Sequence, residues 1–364
     1  MISLPVSIGE ALDKLTILDI KVDKIKDPER NKHCKVEHDI LYEQLKDIVA
    51  ENQFYYDKLK DINESIWDMQ DEVRASSDDI GQKCIDILNM NDSRFRIKDI
   101  LNRKAQSTIQ EQKGYPLKKV LVVPHPGLGD HVNIIGAVRY LSTIYDEVHL
   151  GVFSLRARLE NVKSFYADNS AIKIINIATD HDLKEKWKSE LSIKGYTSSH
   201  LLGSFSQDFN GDWDIFNNTV PDIWYTQLNI DKSIRNTYFY VPDTVENMKM
   251  YELIKDIPYI FCHRKSSGGF NSGLISWNTH SILTIDPDIN VYVEGDRWYN
   301  IAQEFINKPF WYYYETMRHA TELHLVDSSF FCMAIHLSLD AKIRKIYNVS
   351  NCVCNSVINA WATS

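Results

Sequence analysis

The chain has 364 residues, of which 44% are hydrophobic and 25% are charged, and its formal net charge is -9 at pH 7. This length exceeds what one compact core usually holds, and the composition is that of a globular protein, which excludes a disordered or fibrous chain. An acidic chain does not neutralise the phosphates of a nucleic-acid backbone, so we expect no nucleic acid among its partners.

Two features of the sequence bear on its location. The six cysteines are scattered along the chain, which predicts free thiols in a reducing compartment. No stretch approaches the roughly 18 apolar residues that indicate a membrane span, and the first residues contain no long apolar run of a secretory signal. We therefore expect a cytoplasmic protein with no transmembrane segment.

Residues 1–115 predict helices only. Ser7 and Glu10 have the spacing of a capping box, and apolar residues then recur at helical spacing until Asp27-Pro28 ends the first helix. Amphipathic helices of this length predict a separate helical domain, which we expect to fold alone and to form a homodimer through its helices. Further apolar stripes predict helices around 40–49 and 59–73, and two shorter helices over 79–89 and 93–106.

From Tyr115-Pro116 onward, short apolar runs bounded by proline, glycine or polar residues alternate with helical patterns. This alternation predicts βαβ units and parallel sheets. We therefore predict an α/β fold with two Rossmann-like lobes, 116–250 and 251–364, preceded by the all-α domain. The predicted strands include Lys119–Val123, Glu147–Phe153, Ile172–Ile177, Tyr259–Cys262, Asn290–Glu294 and Glu322–Val326.

A glycine-rich turn follows the first predicted strand. Gly127 and Gly129 allow the backbone to turn tightly and to approach a ligand, and the helix that follows begins near His131. Asp130 is expected at the carboxyl end of the strand, where open α/β sheets bind ligands, and a carboxylate there can take the proton from a sugar hydroxyl. The alternative is an aspartate that only caps the helix, in which case His125 or His131 is the nearest other base.

Two polar segments follow strands of the second lobe. Cations, hydroxyls and flexible backbone amides suit a diphosphate, and a helix begins directly after the second segment. The alternatives are an exposed polar loop for the first segment and a plain serine cap for the second. The residues predicted to bind a diphosphate are Arg264, Lys265 and Ser266 in the first segment and Asp327, Ser328 and Ser329 in the second.

Other patterns are weaker. Asp-x-Asp pairs hold a divalent metal in another class of sugar transferases, but such pairs arise by chance in an acidic chain, so we expect no metal and no cofactor. His319, His324 and His336 lack metal-ligand spacing, the aromatic run Phe310–Tyr314 predicts core packing, and no pattern indicates a serine hydrolase. The pairs are Asp180 with Asp182, Asp212 with Asp214, and Asp286 with Asp288.

Several of these motifs resemble known families. The segment from Lys119 to Leu141 resembles the opening of heptosyltransferases, glycosyltransferase family nine-like members of the GT-B superfamily. The strand, Asp327-Ser-Ser329 and helix are similar to their second-lobe signature, Asp-Thr-Gly followed by a histidine, although Ser329 replaces the glycine and Cys332 the histidine. Stretches 6–17, 63–74 and 91–98 resemble an uncharacterised helical domain of bacterial glycan gene clusters.

The resemblance implies an inverting, metal-independent glycosyltransferase. The second lobe would bind a nucleotide-diphosphate sugar as donor substrate, the first would present a glycan acceptor, and Asp130 would be the base. Two alternatives remain open, a nucleotide-sugar epimerase of GT-B-like fold and a non-catalytic sugar- or nucleotide-binding scaffold. The glycan context, with a composition typical of AT-rich genomes, fits a viral protein of the host cytoplasm.

Overall fold

The structure is a computed structural model that describes residues 4–75, 79–153, 159–177, 195–203, 220–266, 281–347 and 361–363. Its internal contacts divide the chain into two compact units. The first unit comprises the described parts of 1–120, 140–148 and 168–173, and the second comprises the described parts of 121–139, 149–167 and 174–364.

Four long helices dominate the first unit. They are α1 (Ile8–Lys24), α2 (Pro28–Glu51), α3 (Gln53–Ala75) and α4 (Ile80–Lys104). As predicted, the Ser7 hydroxyl caps α1 by accepting a hydrogen bond from the backbone N of Glu10 at 3.2 Å. The break at Asp27-Pro28 is also confirmed, because Asp27 caps α2 and Pro28 occupies its first turn.

The prediction of two short helices over 79–89 and 93–106 was wrong, since α4 is one helix of 25 residues. Its interior contains no proline, and Gly81 lies at its second position, where it does not interrupt the helix. From Ile87 onward α4 packs against the hydrophobic core of the unit, to which it contributes Ile97, while Ile87 and Met90 contact that core. That core also contains Leu12, Leu15, Leu45, Val49, Tyr55, Tyr56, Leu59, Ile62, Ile66, Ile100 and Leu101.

Two polar contacts join the helices to later segments of the same unit. The Arg96 Nε donates a hydrogen bond to Asp146 Oδ1 at 2.9 Å, and both side chains are buried. The Tyr55 hydroxyl donates one to Asp168 Oδ2 at 2.6 Å. The first unit therefore includes parts of the chain beyond residue 115.

Two parallel sheets follow the helices, which confirms the predicted fold class. The first contains β1 (Lys119–Val123), β2 (Glu147–Phe153), β3 (Ile172–Ile177) and β4 (Ser198–Leu201) in the order β3-β2-β1-β4. The second contains β5 (Tyr259–His263), β6 (Leu283–Ile285), β7 (Glu322–Val326), β8 (Ile343–Tyr347) and β9 (Ala362–Thr363) in the order β6-β5-β7-β8-β9.

The strand order reverses beside the first strand of each sheet. From β1 the chain moves outward to β2 and β3 and then returns to place β4 on the other side. From β5 it places β6 on one side and β7, β8 and β9 on the other, with every pair of neighbours parallel. At such a reversal the connections leave on opposite faces, and a crevice opens beyond the carboxyl ends of the strands, where α/β proteins bind ligands.

Short helices connect the strands, and among the described residues no helix has the length and apolarity needed to cross a membrane. They are α5 (Leu128–Asn133), α6 (Ile135–Leu141), α7 (Leu159–Ser164), α8 (Val220–Gln227), α9 (Ile234–Thr237), α10 (Val245–Glu252), α11 (Tyr299–Gln303), a 3-10 helix (Phe310–Tyr313), α12 (Tyr314–Arg318) and α13 (Ser329–Ala334).

The strand predicted at Asn290–Glu294 was wrong, because these residues form a loop. Val293 is 70% exposed, whereas Tyr292 turns inward and its hydroxyl accepts a hydrogen bond from the backbone N of Thr284 at 2.8 Å. The alternating pattern thus reflects a loop anchored by one aromatic side chain. The strands that pair with β5 are β6, whose three residues are fully buried, and β7.

Candidate functional site

The first part of the candidate site is the turn that follows β1. Helix α5 begins after Gly127, and Asp130 is its third residue. The Asp130 Oδ2 accepts a hydrogen bond from the backbone N of Gly127 at 2.8 Å and lies 3.0 Å from Nδ1 of His125. The carboxylate therefore does support the helix start, from the third helical position rather than from the cap. Its Oδ1 accepts no hydrogen bond from the described residues, and the side chain is 24% exposed.

The two histidines of this turn differ in their surroundings. His125 is 39% exposed and contacts the Asp130 carboxylate. His131 is fully buried, and this burial lowers its pKa to about 4. Neither ring nitrogen of His131 has a hydrogen-bond partner within the described part of the chain. His131 is therefore a neutral core side chain, and only His125 stands beside the predicted base.

Gly129 brings this turn against the start of α13. A Cβ atom at Gly129 would lie 3.0 Å from Sγ of Cys332 and 3.6 Å from Cα of Ser329. The Asn133 Nδ2 lies 3.5 Å from the same sulfur, so the two helices pack closely at this point. A larger residue at position 129 would separate them. The predicted acceptor-side turn and the Asp327–Ser329 segment are thus neighbours in the structure.

The second part of the site is the edge of the second sheet where β5, β6 and β7 end. His263 is the last residue of β5, Asp286 directly follows β6, and Asp327-Ser328 follow β7. Because the three strands are parallel neighbours, these residues meet at one edge. The Nδ1 of His263 lies 3.0 Å from the Ser328 Oγ, which joins the ends of β5 and β7 at the reversal of strand order.

The neighbouring cation and carboxylates form ion pairs. The Arg264 Nε donates a hydrogen bond to Oδ2 of the buried Asp286 at 2.7 Å. Asp288 Oδ2 lies 3.4 Å from His263 Nε2, and His263 lowers the pKa of the Asp288 carboxyl. Both carboxylates of this Asp-x-Asp pair are thus engaged by basic side chains. Within the described ranges no group of three or more His, Cys, Asp or Glu is arranged to hold a metal ion. The pairs at 180–182 and 212–214 lie outside these ranges.

The remaining predicted diphosphate ligands lie close to this edge along the chain. Lys265 is exposed, and Asp327, Ser328 and Ser329 are half-buried. The Ser266 hydroxyl is buried and has no hydrogen-bond partner among the residues that the structure describes. The end of the predicted loop, Ser267-Gly268-Gly269, lies outside the described residues.

Sequence reasoning did not select His263 and Asp288 as site residues. The available signal was position, because His263 ends a buried strand and Asp288 follows the neighbouring strand by three residues. Their meeting depends on the pairing of β5 with β6, which the sequence did not reveal. The aromatic residues of 310–314 behave as predicted, since Phe310 and Tyr313 are buried and pack against Phe330.

Comparison with known proteins gives matches of two kinds. Residues 2–132, about a third of the chain, match a family model described as a family of unknown function (DUF6165). The match continues through β1 to the turn that contains Asp130. No curated protein matches the chain.

Solved structures of glycosyltransferases are also similar to the chain. One is the iron-containing dodecameric glycosyltransferase TibC from enterotoxigenic E. coli H10407, with 12% identity and a TM-score of 0.39 over 66% of this chain and 61% of TibC. A glycosyl transferase family 9 protein from Veillonella parvula has 11% identity and a TM-score of 0.40 over 65% of this chain and 82% of its own.

A third similar structure is the ADP-heptose LPS heptosyltransferase II of E. coli, with 10% identity and a TM-score of 0.38 over 68% of this chain and 90% of its own. The chain thus spans less than two thirds of the length of TibC and most of the length of the other two. It is similar over its first third to a family of unknown function and, in structure, to heptosyltransferases.

Proposed function

We propose that this chain is a glycosyltransferase that moves a sugar from a nucleotide-diphosphate sugar to a hydroxyl of a glycan or another acceptor. One observation carries the proposal. The turn that contains Asp130 packs at Gly129 against the start of α13, directly after Ser328, and Oδ1 of Asp130 accepts no hydrogen bond from the described residues. Asp130 follows β1 and Ser328 follows β7, and in each sheet this is the place where the strand order reverses. Such sheets usually bind their ligands there.

Asp130 suits the role of general base. The Gly127 amide and His125 hold its Oδ2, which fixes the carboxylate and leaves Oδ1 to accept a proton from the acceptor hydroxyl. As that proton leaves, the acceptor oxygen forms a bond to the anomeric carbon. The bond from this carbon to the diphosphate oxygen breaks on the opposite face, so the configuration inverts.

Positive charge and hydroxyl groups suit the leaving diphosphate. Asp286 orients the guanidinium of Arg264, and Lys265 adds an exposed ammonium next to it along the chain. Ser328 and Ser329 contribute hydroxyls at the start of α13. Charge-assisted hydrogen bonds of this kind stabilise the negative charge that develops on the leaving group. We propose that they do so without a metal ion.

The test is incubation of the full chain with a panel of nucleotide sugars and glycan acceptors, analysed by mass spectrometry. Transfer, or slow hydrolysis of the donor, is the expected result, and the Asp130→Asn variant should show neither at a comparable rate. A changed sugar without an acceptor would instead indicate an epimerase, and binding alone a scaffold. Loss of activity in EDTA that manganese restores would contradict metal independence.

A further inference from the structure

His263 lies between a hydroxyl and a carboxylate at the edge of the second sheet. Its Nδ1 is 3.0 Å from the Ser328 Oγ, and its Nε2 is 3.4 Å from the Asp288 Oδ2. The ring is nearly buried, with 9% of the side chain exposed, and it packs against Phe330 with 4.5 Å between ring centroids. Its two nitrogens therefore face the Ser328 hydroxyl and the Asp288 carboxylate, while the half-buried Ser328 remains accessible from the site.

The direction of the Ser328 hydroxyl depends on the protonation of this ring. In the neutral ring with its proton on Nε2, facing Asp288, Nδ1 is an acceptor and the Ser328 O–H points toward the ring. In the protonated ring Nδ1–H donates to the Ser328 oxygen, so the hydroxyl proton points away from the ring. Only the second arrangement offers a donor to an anion bound at this edge.

We infer that His263 is a positioning residue that takes up a proton when a diphosphate binds and thereby turns the Ser328 hydroxyl toward the ligand. This inference rests on the proposed diphosphate site and adds to it a residue that acts through another. Binding and protonation are then linked, so each favours the other to the same extent.

Charged groups from each neighbouring element bear on the ring. Arg264 and Lys265 directly follow β5, which ends at His263, and Arg264 is paired with Asp286. Asp288 lies three residues after the end of β6, 3.4 Å from the ring, and Asp327 directly follows β7. The carboxylate of Asp288 favours the protonated ring, the two cations oppose it, and a bound diphosphate adds negative charge that favours it. We therefore expect the affinity for a diphosphate to rise as the pH is lowered from about 8 to 5.

The experiment is calorimetry of the full chain with inorganic pyrophosphate in two buffers of different ionisation enthalpy, which yields the protons taken up on binding. Pyrophosphate itself titrates in this range, so the informative quantity is the difference between wild type and His263→Asn. The asparagine amide replaces Nδ1 as a permanent donor to Ser328 that carries no charge. We expect the variant to take up fewer protons, by up to about one, and its affinity to vary less with pH, by up to about tenfold per pH unit.

Two further variants complete the test. Ser328→Ala should take up fewer protons than the wild type and bind pyrophosphate about tenfold or more weakly at low pH, because a charge-assisted donor is removed. His319→Asn is the matched control, since His319 contacts Glu315 and Asp340 outside the site, and it should behave as the wild type. Folding of each variant is checked by its thermal melting.

The outcomes separate this inference from the proposed function. Equal proton uptake in wild type, His263→Asn and Ser328→Ala overturns the inference, as does a wild type that transfers sugar but binds no pyrophosphate. Proton uptake that is smaller in His263→Asn than in the wild type, in a chain that transfers no sugar, would uphold the inference and reject the glycosyltransferase proposal.

Discussion

Asp13 of the first unit and Asp130 of the second both belong to the early turns of a helix, but their surroundings differ. Asp13 is buried, and both of its carboxylate oxygens accept hydrogen bonds from the Arg94 guanidinium, while the Asn63 amide donates another at 2.9 Å. Asp130 is partly exposed, and its two contacts, with Gly127 and His125, share a single oxygen.

The difference shows which carboxylate is available for chemistry. A carboxylate whose two oxygens are held by an arginine and an amide can take a proton only by breaking those hydrogen bonds. A carboxylate with one engaged oxygen is oriented but still has an oxygen for a substrate proton. Position at a helix start is common to both, so the hydrogen bonds, rather than the position, distinguish a structural aspartate from a candidate base.

The largest effect is expected from Asp130→Asn. The amide oxygen can still accept the hydrogen bond from Gly127, so the fold and the donor affinity should persist. The amide cannot take the acceptor proton, so the rate of transfer should fall about 10²–10⁴-fold, the usual contribution of a general base. Transfer rates and donor titrations measure both quantities. A variant with near-normal transfer would show that Asp130 only supports the helix start.

The same substitution at Asp13 is expected to lower stability and to leave catalysis unchanged. Asp13→Asn removes the carboxylate that pairs with Arg94. It also places a second side-chain amide beside the amide of Asn63. Breaking a buried pair in this way costs about 3–5 kcal/mol, so the chain should unfold at a markedly lower urea concentration. The rate of transfer per folded molecule should not change. A stable Asp13→Asn variant would contradict the structural role of this network.

A smaller effect is expected at Lys265. This lysine is exposed, whereas removal of Arg264 would also leave the buried Asp286 unpaired. Lys265→Ala should therefore weaken nucleoside diphosphate binding without loss of stability, by about tenfold or more for one charge-assisted contact. Lys249→Ala, an exposed lysine on α10, is the matched control for calorimetry. Unchanged affinity would remove Lys265 from the site.

The smallest effect concerns stability in acid. Burial lowers the pKa of His131 to about 4, whereas a histidine in an unfolded chain titrates near pH 6.5. The unfolded state therefore binds more protons below about pH 6.5, and the stability falls as the pH falls toward 4. His131→Leu removes this dependence, so between about pH 7.5 and 5 the variant should lose less stability, by on the order of 1–2 kcal/mol.

Urea unfolding at the two pH values checks this prediction. The matched control is His33→Leu, since His33 is exposed on α2 and should follow the wild type. Identical acid sensitivity in all three proteins would show that His131 is protonated in the folded chain.

Local patterns were sufficient to predict much of this fold. Apolar runs such as Lys119–Val123 identified most strands, and Ser7 and Asp27-Pro28 marked helix ends, because these signals act over a few residues. The three residues of β6 are too few to show a period, so that strand was missed. Asp130 and Ser328 could be selected by their position after strands. The contacts of His263 could not, because they depend on pairing between distant strands.

The contacts of Arg96 and Tyr55 have a consequence for synthesis of the chain. The four helices can pack as soon as α4 has emerged, because their hydrophobic core is built from their own residues. The carboxylates that satisfy Arg96 and Tyr55 lie 50 and 113 residues further along. At about 5–20 residues per second, the stretch from the end of α4 to Asp168 takes roughly 3–13 s to appear. The contacts of Arg96 with Asp146 and of Tyr55 with Asp168 therefore form after the helices that contain Arg96 and Tyr55 have been made.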